Sequence, residues 1–218
     1  MGDVKVTETI DLDALTAWMR EFGRLISDNR DLLTDLDAAI GDADHGVNME
    51  RAMTTVVHAL DTDRAATVAG LLKQVALEIV SAAGGASGPL YGTYFLRMAS
   101  AVGEVEVLDP QGFSIAMQAG VEGLVARGKA AAGDKTMFDA LAPASEALGK
   151  ALASGESLRD ALRAASAAAN EGRDATTPLV GRKGRASYLG ERGIGHQDPG
   201  ATSAALLVAA AAATLPGS

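Results

Sequence analysis

Apolar residues recur at helical spacing along almost the whole chain, and this pattern restricts the fold more than any other feature. Leu15, Met19, Phe22 and Ile26 repeat at alternating intervals of four and three, which places them on one helical face. Val68, Leu71, Leu72, Val75, Ile79 and Val80 form a second amphipathic stretch, and Phe113, Met117, Gly120, Val121, Leu124 and Val125 a third. Segments 141–153 and 158–169 read as two more helices. The last begins at Asp198-Pro199, an N-cap followed by proline at the first helical position, and runs apolar to Leu215. Aromatics make up only 4% of the residues, so the core must be built from Ala, Leu, Val, Ile and Met, a composition that favours close-packed helices over a sheet. The expected fold is all-α: a single-domain antiparallel barrel or bundle of about eight helices, with no strand alternating with them. No linker or internal repeat divides the 218 residues, although residues 1–10 read as an N-terminal extension.

Composition also excludes several functions. The net charge is -9, which argues against a nucleic-acid surface, since phosphate contacts require a basic face. With no cysteine there is no disulfide framework, thiolate nucleophile or cysteine-based metal centre. The N-terminus is polar and unlike a secretory signal, and the most apolar stretch, Ala201 to Leu215, is short for a bilayer span. A soluble cytoplasmic protein, bound to neither membrane nor nucleic acid, is expected.

Four interruptions of the helical pattern carry the chemistry: 41–48, 84–93, 128–137 and 181–200. In an antiparallel bundle, loops one helix apart lie at the same end, so several of these can share one mouth with a ligand bound among the helix ends. In the first, Asp37 and Asp42 would stand roughly 140° apart on a continuous helix and could not share an ion. Gly41 offers a break, and the chain restarts as a helix near His45 or Gly46. Asp37, Asp42 and Asp44 can then converge in the bend as hard oxygen ligands for Mg²⁺ or Ca²⁺. The EF-hand pattern does not fit, and spacing alone is equally compatible with helix caps and solvated loop acids. Gly46 and Asn48 fall where a helix start exposes unpaired N–H groups, a natural phosphate site. His45 taken alone reads as a packing residue, and His58 as an ordinary mid-helix histidine.

The second loop combines Gly84, Gly85 and Gly88 with Ser87 as an N-cap and Pro89 just inside a helix; no strand precedes it, so it is not a nucleophile elbow. The third places Gly128 and Gly133 at P-loop spacing, but Asp134 is inserted before Lys135-Thr136 and a helix leads in, so the P-loop reading is rejected. A glycine-rich turn starting a helix at Asp134 or Thr136 is still able to line a nucleotide pocket. The fourth is a basic island, with Arg182, Lys183, Arg185 and Arg192 against Glu191 alone. Twenty residues without apolar periodicity are uncommon inside a compact domain and often functional. A phosphate-facing lid is the reading preferred over a solvated connection.

Taken together, the strings GDADHGVNM, GGASGPLYGT, GDKTM, GRKGRASYLGER and GHQDPGATS resemble the nucleotide-binding L subunit of bacterial dihydroxyacetone kinase. They run in family order from about residue 37 to 203 with no departure at the loop positions. The resemblance implies an eight-helix antiparallel barrel with its nucleotide site at one end. It implies that Asp37, Asp42 and Asp44 hold two Mg²⁺ ions. His45, Gly46, Val47 and Asn48, with Ala86 and Ser87, would contact the phosphates or ions of ADP or ATP. Gly128 and Met137 would line the adenine end, while Arg185 and the Asp198-Pro199-Gly200 turn would close over the nucleotide. Arg185 would be the catalytic group, neutralising charge as the phosphoryl group moves. The family's ketose is held covalently by a histidine of a separate K subunit, which accounts for the lack of a sugar pocket or catalytic base in this chain. The donor is either exchangeable ATP or resident ADP rephosphorylated by a phosphotransferase-system protein. The sequence leaves open a four-carbon ketose, a homodimer, and an ADP-holding module that docks to a regulator.

Overall fold

The computed structural model describes residues 8–215. Residues 1–7 of the N-terminal extension expected from sequence lie outside the described residues. The chain runs through β1 (Ile10–Asp11), α1 (Leu12–Asp28), α2 (Arg30–Ile40), α3 (His45–Thr62), α4 (Val68–Ala82), α5 (Ser87–Val102), β2 (Val107–Leu108), α6 (Pro110–Gly128), α7 (Phe138–Ala153), α8 (Leu158–Ala175) and α9 (Pro199–Thr214). Two 3₁₀ turns, Arg185–Tyr188 and Gly190–Gly193, lie between α8 and α9.

Packing is sequential and closes on itself. From α3 onward each helix lies against the next through α9; α9 returns to α1, and α1 to α3. The result is an antiparallel ring of eight helices. The ninth, α2, follows α1 after a break at Asn29 and rests on α3 and α9. Sequence periodicity does not resolve that break, because the apolar spacing of α1 simply passes into α2.

Start signals of ordinary chemistry fix several helix ends. Asp11, Thr67, Asp109, Ser157 and Asp198 each accept a bond from a first-turn N–H with their side chains. The core fills with aliphatic side chains around a few aromatics. Trp18 meets Phe113 edge-on at 5.5 Å, and its indole N–H donates to the Leu207 carbonyl at 2.9 Å, tying α1 to α9. Small residues let the helices approach: a Cβ on Gly120 of α6 would come within 2.6 Å of the Tyr94 ring on α5. Helix α9 is apolar almost all round because three ring helices and α2 cover it, with Ala201, Ala204 and Ala210 fully buried. Among the described residues no helix is long and apolar enough to cross a membrane.

One feature was not expected. Ile10 and Asp11 pair antiparallel with Leu108 and Val107. Ile10 is fully buried, and Glu8 accepts a bond from the Leu158 N–H at 2.8 Å. Two-residue strands leave no readable alternation, so this ladder is invisible to a periodicity argument.

Candidate functional site

The acidic bend is built by one carboxylate. Helix α2 ends at Ile40, and Asp37 in its last turn accepts at Oδ2 from the N–H groups of Asp44 (2.9 Å) and His45 (3.2 Å). These bonds fold the 42–44 segment back over the helix end. Gly41 makes the fold feasible, because a Cβ there would overlap the other oxygen of Asp37. Ala43 adopts φ 64°, a left-handed conformation that a side chain resists. The outcome is that Asp37, Asp42 and Asp44 each present an oxygen, all three within 4.8 Å of one another. Three hard oxygens at that spacing suit a divalent cation such as Mg²⁺, which commonly keeps water and phosphate oxygens in its remaining positions.

The bend opens onto a cavity of about 440 Å³ to which all four loops contribute. Its lining has two kinds of surface. One is polar, with the three aspartates, His45, Ser87 and Arg185; the other is apolar, with Leu90, Leu124, Met137 and Phe138. Of the residues singled out in the sequence, Asp37, Asp42, Asp44, His45, Ala86, Ser87, Gly128, Met137, Arg185, Asp198, Pro199 and Gly200 all line it. Arg185 reaches over the acids from the first 3₁₀ turn, its Nη2 lying 2.7 Å from Asp42 Oδ2.

Gly46, Val47 and Asn48 do not line the cavity. Gly46 is buried against α2, where a Cβ would overlap the Arg30 carbonyl and the Thr34 hydroxyl. Val47 is exposed on α3. The expectation of an unpaired N–H at Asn48 is corrected, since it bonds to the Asp44 carbonyl at 2.9 Å. Asn48 Oδ1 accepts from Arg51 at 2.6 Å. Two further expectations change. Ser87 is the first residue of α5 rather than its cap, because its hydroxyl is engaged by His45. Helix α7 starts at Phe138, because Asp139 accepts from the N–H groups of Gly133 and Thr136 and holds the preceding turn unwound.

Burial sets the character of the remaining polar groups. His45 bonds Ser87 Oγ through Nδ1 at 3.1 Å and Ser203 Oγ through Nε2 at 2.9 Å. Ser203 Oγ also lies 2.8 Å from the Tyr91 hydroxyl and donates to the Gly200 carbonyl at 3.1 Å. Desolvation lowers the His45 pKa against the opposing pull of the Asp37 and Asp44 carboxylates, and the ring is held at both nitrogens. Asp198 caps α9, accepting from the Ala201 N–H at 2.6 Å. Its burial pushes its pKa up to about 7, with Asp139 and Asp37 reinforcing the rise and the Ala201 N–H and Lys135 opposing it.

Sequence reasoning missed Tyr91, Ser203 and Lys135. Each stands inside a quoted string, but a tyrosine or serine at helical spacing carries no sign that it will meet a histidine from another helix. Lys135 is buried and donates to the carbonyls of Leu179 and Gly193.

Fold and site together define a helical barrel with its polar machinery gathered at one mouth, where an arginine-bearing strap overhangs three carboxylates. The chain belongs to the DAK2 domain family, whose model matches residues 39–213. It is 44% identical over 199 residues to the ADP-binding subunit DhaL of PEP-dependent dihydroxyacetone kinase 1 from Listeria innocua, covering 91% of this chain and 94% of that protein. It is 42% identical to the corresponding Escherichia coli subunit, covering 85% and 89%. In fold it is similar to the dihydroxyacetone kinase of C. freundii solved in complex with AMP-PNP and Mg²⁺, with a TM-score of 0.70 and 27% identity. That match covers 98% of this chain and 36% of the larger protein.

Proposed function

We propose that this chain is the nucleotide-holding subunit of a short-chain ketose kinase. It carries ADP or ATP with Mg²⁺ and passes a phosphoryl group to dihydroxyacetone held covalently on a separate K subunit. The observation that carries this reading is the convergence of Asp37, Asp42 and Asp44 within 4.8 Å at the polar side of a cavity that Arg185 overhangs. A carboxylate cluster facing an arginine is suited to a ligand that is itself anionic and metal-bound.

In this reading the three aspartates hold two Mg²⁺ ions, which supply positive charge against the phosphate oxygens. Arg185 exchanges its partner Asp42 for the transferring phosphoryl group, neutralising charge in the transition state. Ser87 and His45 position the phosphates. Gly128, Met137, Leu90 and Leu124 receive the adenine, and the Asp198-Pro199-Gly200 turn closes beside it. The Listeria and Escherichia relatives are named as PEP-dependent and ADP-binding, and a Lactococcus lactis relative as PTS-dependent; these names favour ADP as the resident form, rephosphorylated in place by a phosphotransferase-system partner. The setting is cytoplasmic.

A four-carbon acceptor has support from relatives named as L-erythrulose kinases, in Mycolicibacterium smegmatis and Pectobacterium atrosepticum. The L-erythrulose 1-kinase of Mycolicibacterium smegmatis is 34% identical over 200 residues, although this chain covers only 34% of that protein. In our reading the choice of ketose rests with the K subunit.

Reconstitution tests the proposal. The purified chain is mixed with a K subunit, Mg²⁺ and dihydroxyacetone, and supplied with either ATP or phosphoenolpyruvate and its transfer proteins. Formation of dihydroxyacetone phosphate that requires this chain supports the kinase reading. If ADP binds but no combination turns over, a binding module that docks to a regulator replaces it.

A further inference from the structure

Lys135 is only 1% exposed, yet among the described residues it makes no ion pair. Its ammonium donates to two main-chain carbonyls, Leu179 O at 3.0 Å and Gly193 O at 2.6 Å. Its own backbone is left-handed, with φ 63°. A desolvated ammonium and a left-handed lysine are each unfavourable, so their coincidence needs a compensating role. The two acceptors bracket the segment that bears Arg182, Lys183, Arg185 and Tyr188. The strap is tied to the same turn a second time, since the Arg182 N–H donates to the Asp134 carbonyl at 3.0 Å.

We propose that Lys135 is a positioning residue: by clasping both ends of the 179–193 strap to the turn before α7, it sets Arg185 over the acidic bend. Main-chain acceptors suit the task, because they fix the backbone path of the strap directly, whereas a carboxylate partner would hold only a side chain. A tetrahedral ammonium can also donate to carbonyls arriving from two sides, which a planar guanidinium does less readily. Lys135 also lines the cavity beside Thr136 and Met137, so one residue links the wall proposed for the base to the strap proposed for the phosphates. Without the amine, Leu179 and Gly193 lose their shared partner and the intervening loop samples wider conformations. The role of Arg185 here rests on the kinase reading; the clasp itself does not.

Hydrogen exchange followed by mass spectrometry, on the full ligand-free chain, tests the clasp alone. Lys135→Met removes the donors. Lys135→Gly removes them while suiting the left-handed backbone, so an effect shared by both variants is traced to the lost donors and not to the turn's conformation. Both variants should exchange amides across 180–193 at least tenfold faster than wild type, with α1 and α9 unchanged. Wild-type protection of the strap in either folded variant overturns the proposal. In the reconstituted assay, kcat should fall at least tenfold while the nucleotide KM changes less than threefold. A looser strap with unchanged kcat overturns the positioning of Arg185. Wild-type protein that supports no transfer counts against the kinase reading instead, and strap exchange then judges the clasp by itself.

Discussion

Arg185 Nη2 lies 2.7 Å from Asp42 Oδ2, so the basic strap between α8 and α9 touches the acidic bend between α2 and α3 across the mouth of the cavity. The two segments are about 140 residues apart in sequence, and the ring of helices is what brings them together.

That pair is largely solvated, with side-chain exposures of 64% and 34%, so it adds little to stability. Arg185→Ala should change unfolding free energy by no more than about 0.5 kcal/mol. Phosphoryl transfer in the reconstituted system should fall by roughly 10³-fold or more, the scale on which an arginine that stabilises the transferring phosphoryl group acts. Urea unfolding and a coupled assay for the phosphorylated ketose measure the two effects. A large loss of stability with unchanged rate would make Arg185 a structural residue.

Gly41→Ala should act in the opposite proportion. The added Cβ overlaps the Asp37 carboxylate that holds the bend through the Asp44 and His45 N–H groups. The expected cost is about 1–3 kcal/mol of stability, together with weaker Mg²⁺-dependent binding. Chemical denaturation and calorimetry on the same preparation check both. Wild-type values for both would show that the bend does not depend on the Asp37 bonds.

Much of this was legible in the sequence, and the particular failures share a physical cause. Periodicity marked most of the ring helices, Asp198-Pro199 marked the start of α9, and Gly41 marked the break that lets three aspartates meet. Interactions between distant segments were not legible. The Ile10–Leu108 pairing, the His45–Ser203–Tyr91 chain and the Lys135 clasp each join residues whose local context is ordinary. Gly46 reads in sequence as a helix start suited to phosphate, and the structure adds that its lack of a side chain serves the close approach of α3 to α2. A helix start and a packing glycine look the same in one dimension.

Asp198 predicts a pH dependence. Burial raises its folded pKa to about 7 from an ordinary value of 3.8. Between those values the folded state binds the proton more tightly than the unfolded chain, so this group's contribution to stability is full below about pH 4 and is lost as pH rises toward 7. Asp198→Asn keeps a cap without the charge. It should therefore stabilise the magnesium-free and nucleotide-free protein by on the order of 2 kcal/mol at pH 8 and by little at pH 4. Urea titrations at the two pH values provide the comparison, and an equal difference at both would remove ionisation of Asp198 as the cause.

Tyr94 predicts a gain. Its hydroxyl is buried without a hydrogen-bond partner, while its ring packs edge-on against Phe95 at 5.4 Å. Tyr94→Phe keeps the ring and removes the unsatisfied group, and should raise stability by about 1 kcal/mol. A lower unfolding midpoint would indicate that the hydroxyl has a partner in solution.

The central claim is that the three aspartates clamp a metal-bound nucleotide, and calorimetric titration with ADP, with and without Mg²⁺, tests it most directly. Wild-type protein should bind ADP at least tenfold more tightly with Mg²⁺ present. Asp42→Asn and Asp44→Asn should keep the helical circular dichroism of the wild type and lose most of that magnesium dependence. Equal ADP affinity with and without Mg²⁺ in wild type, or an undiminished magnesium effect in both variants, would contradict the account.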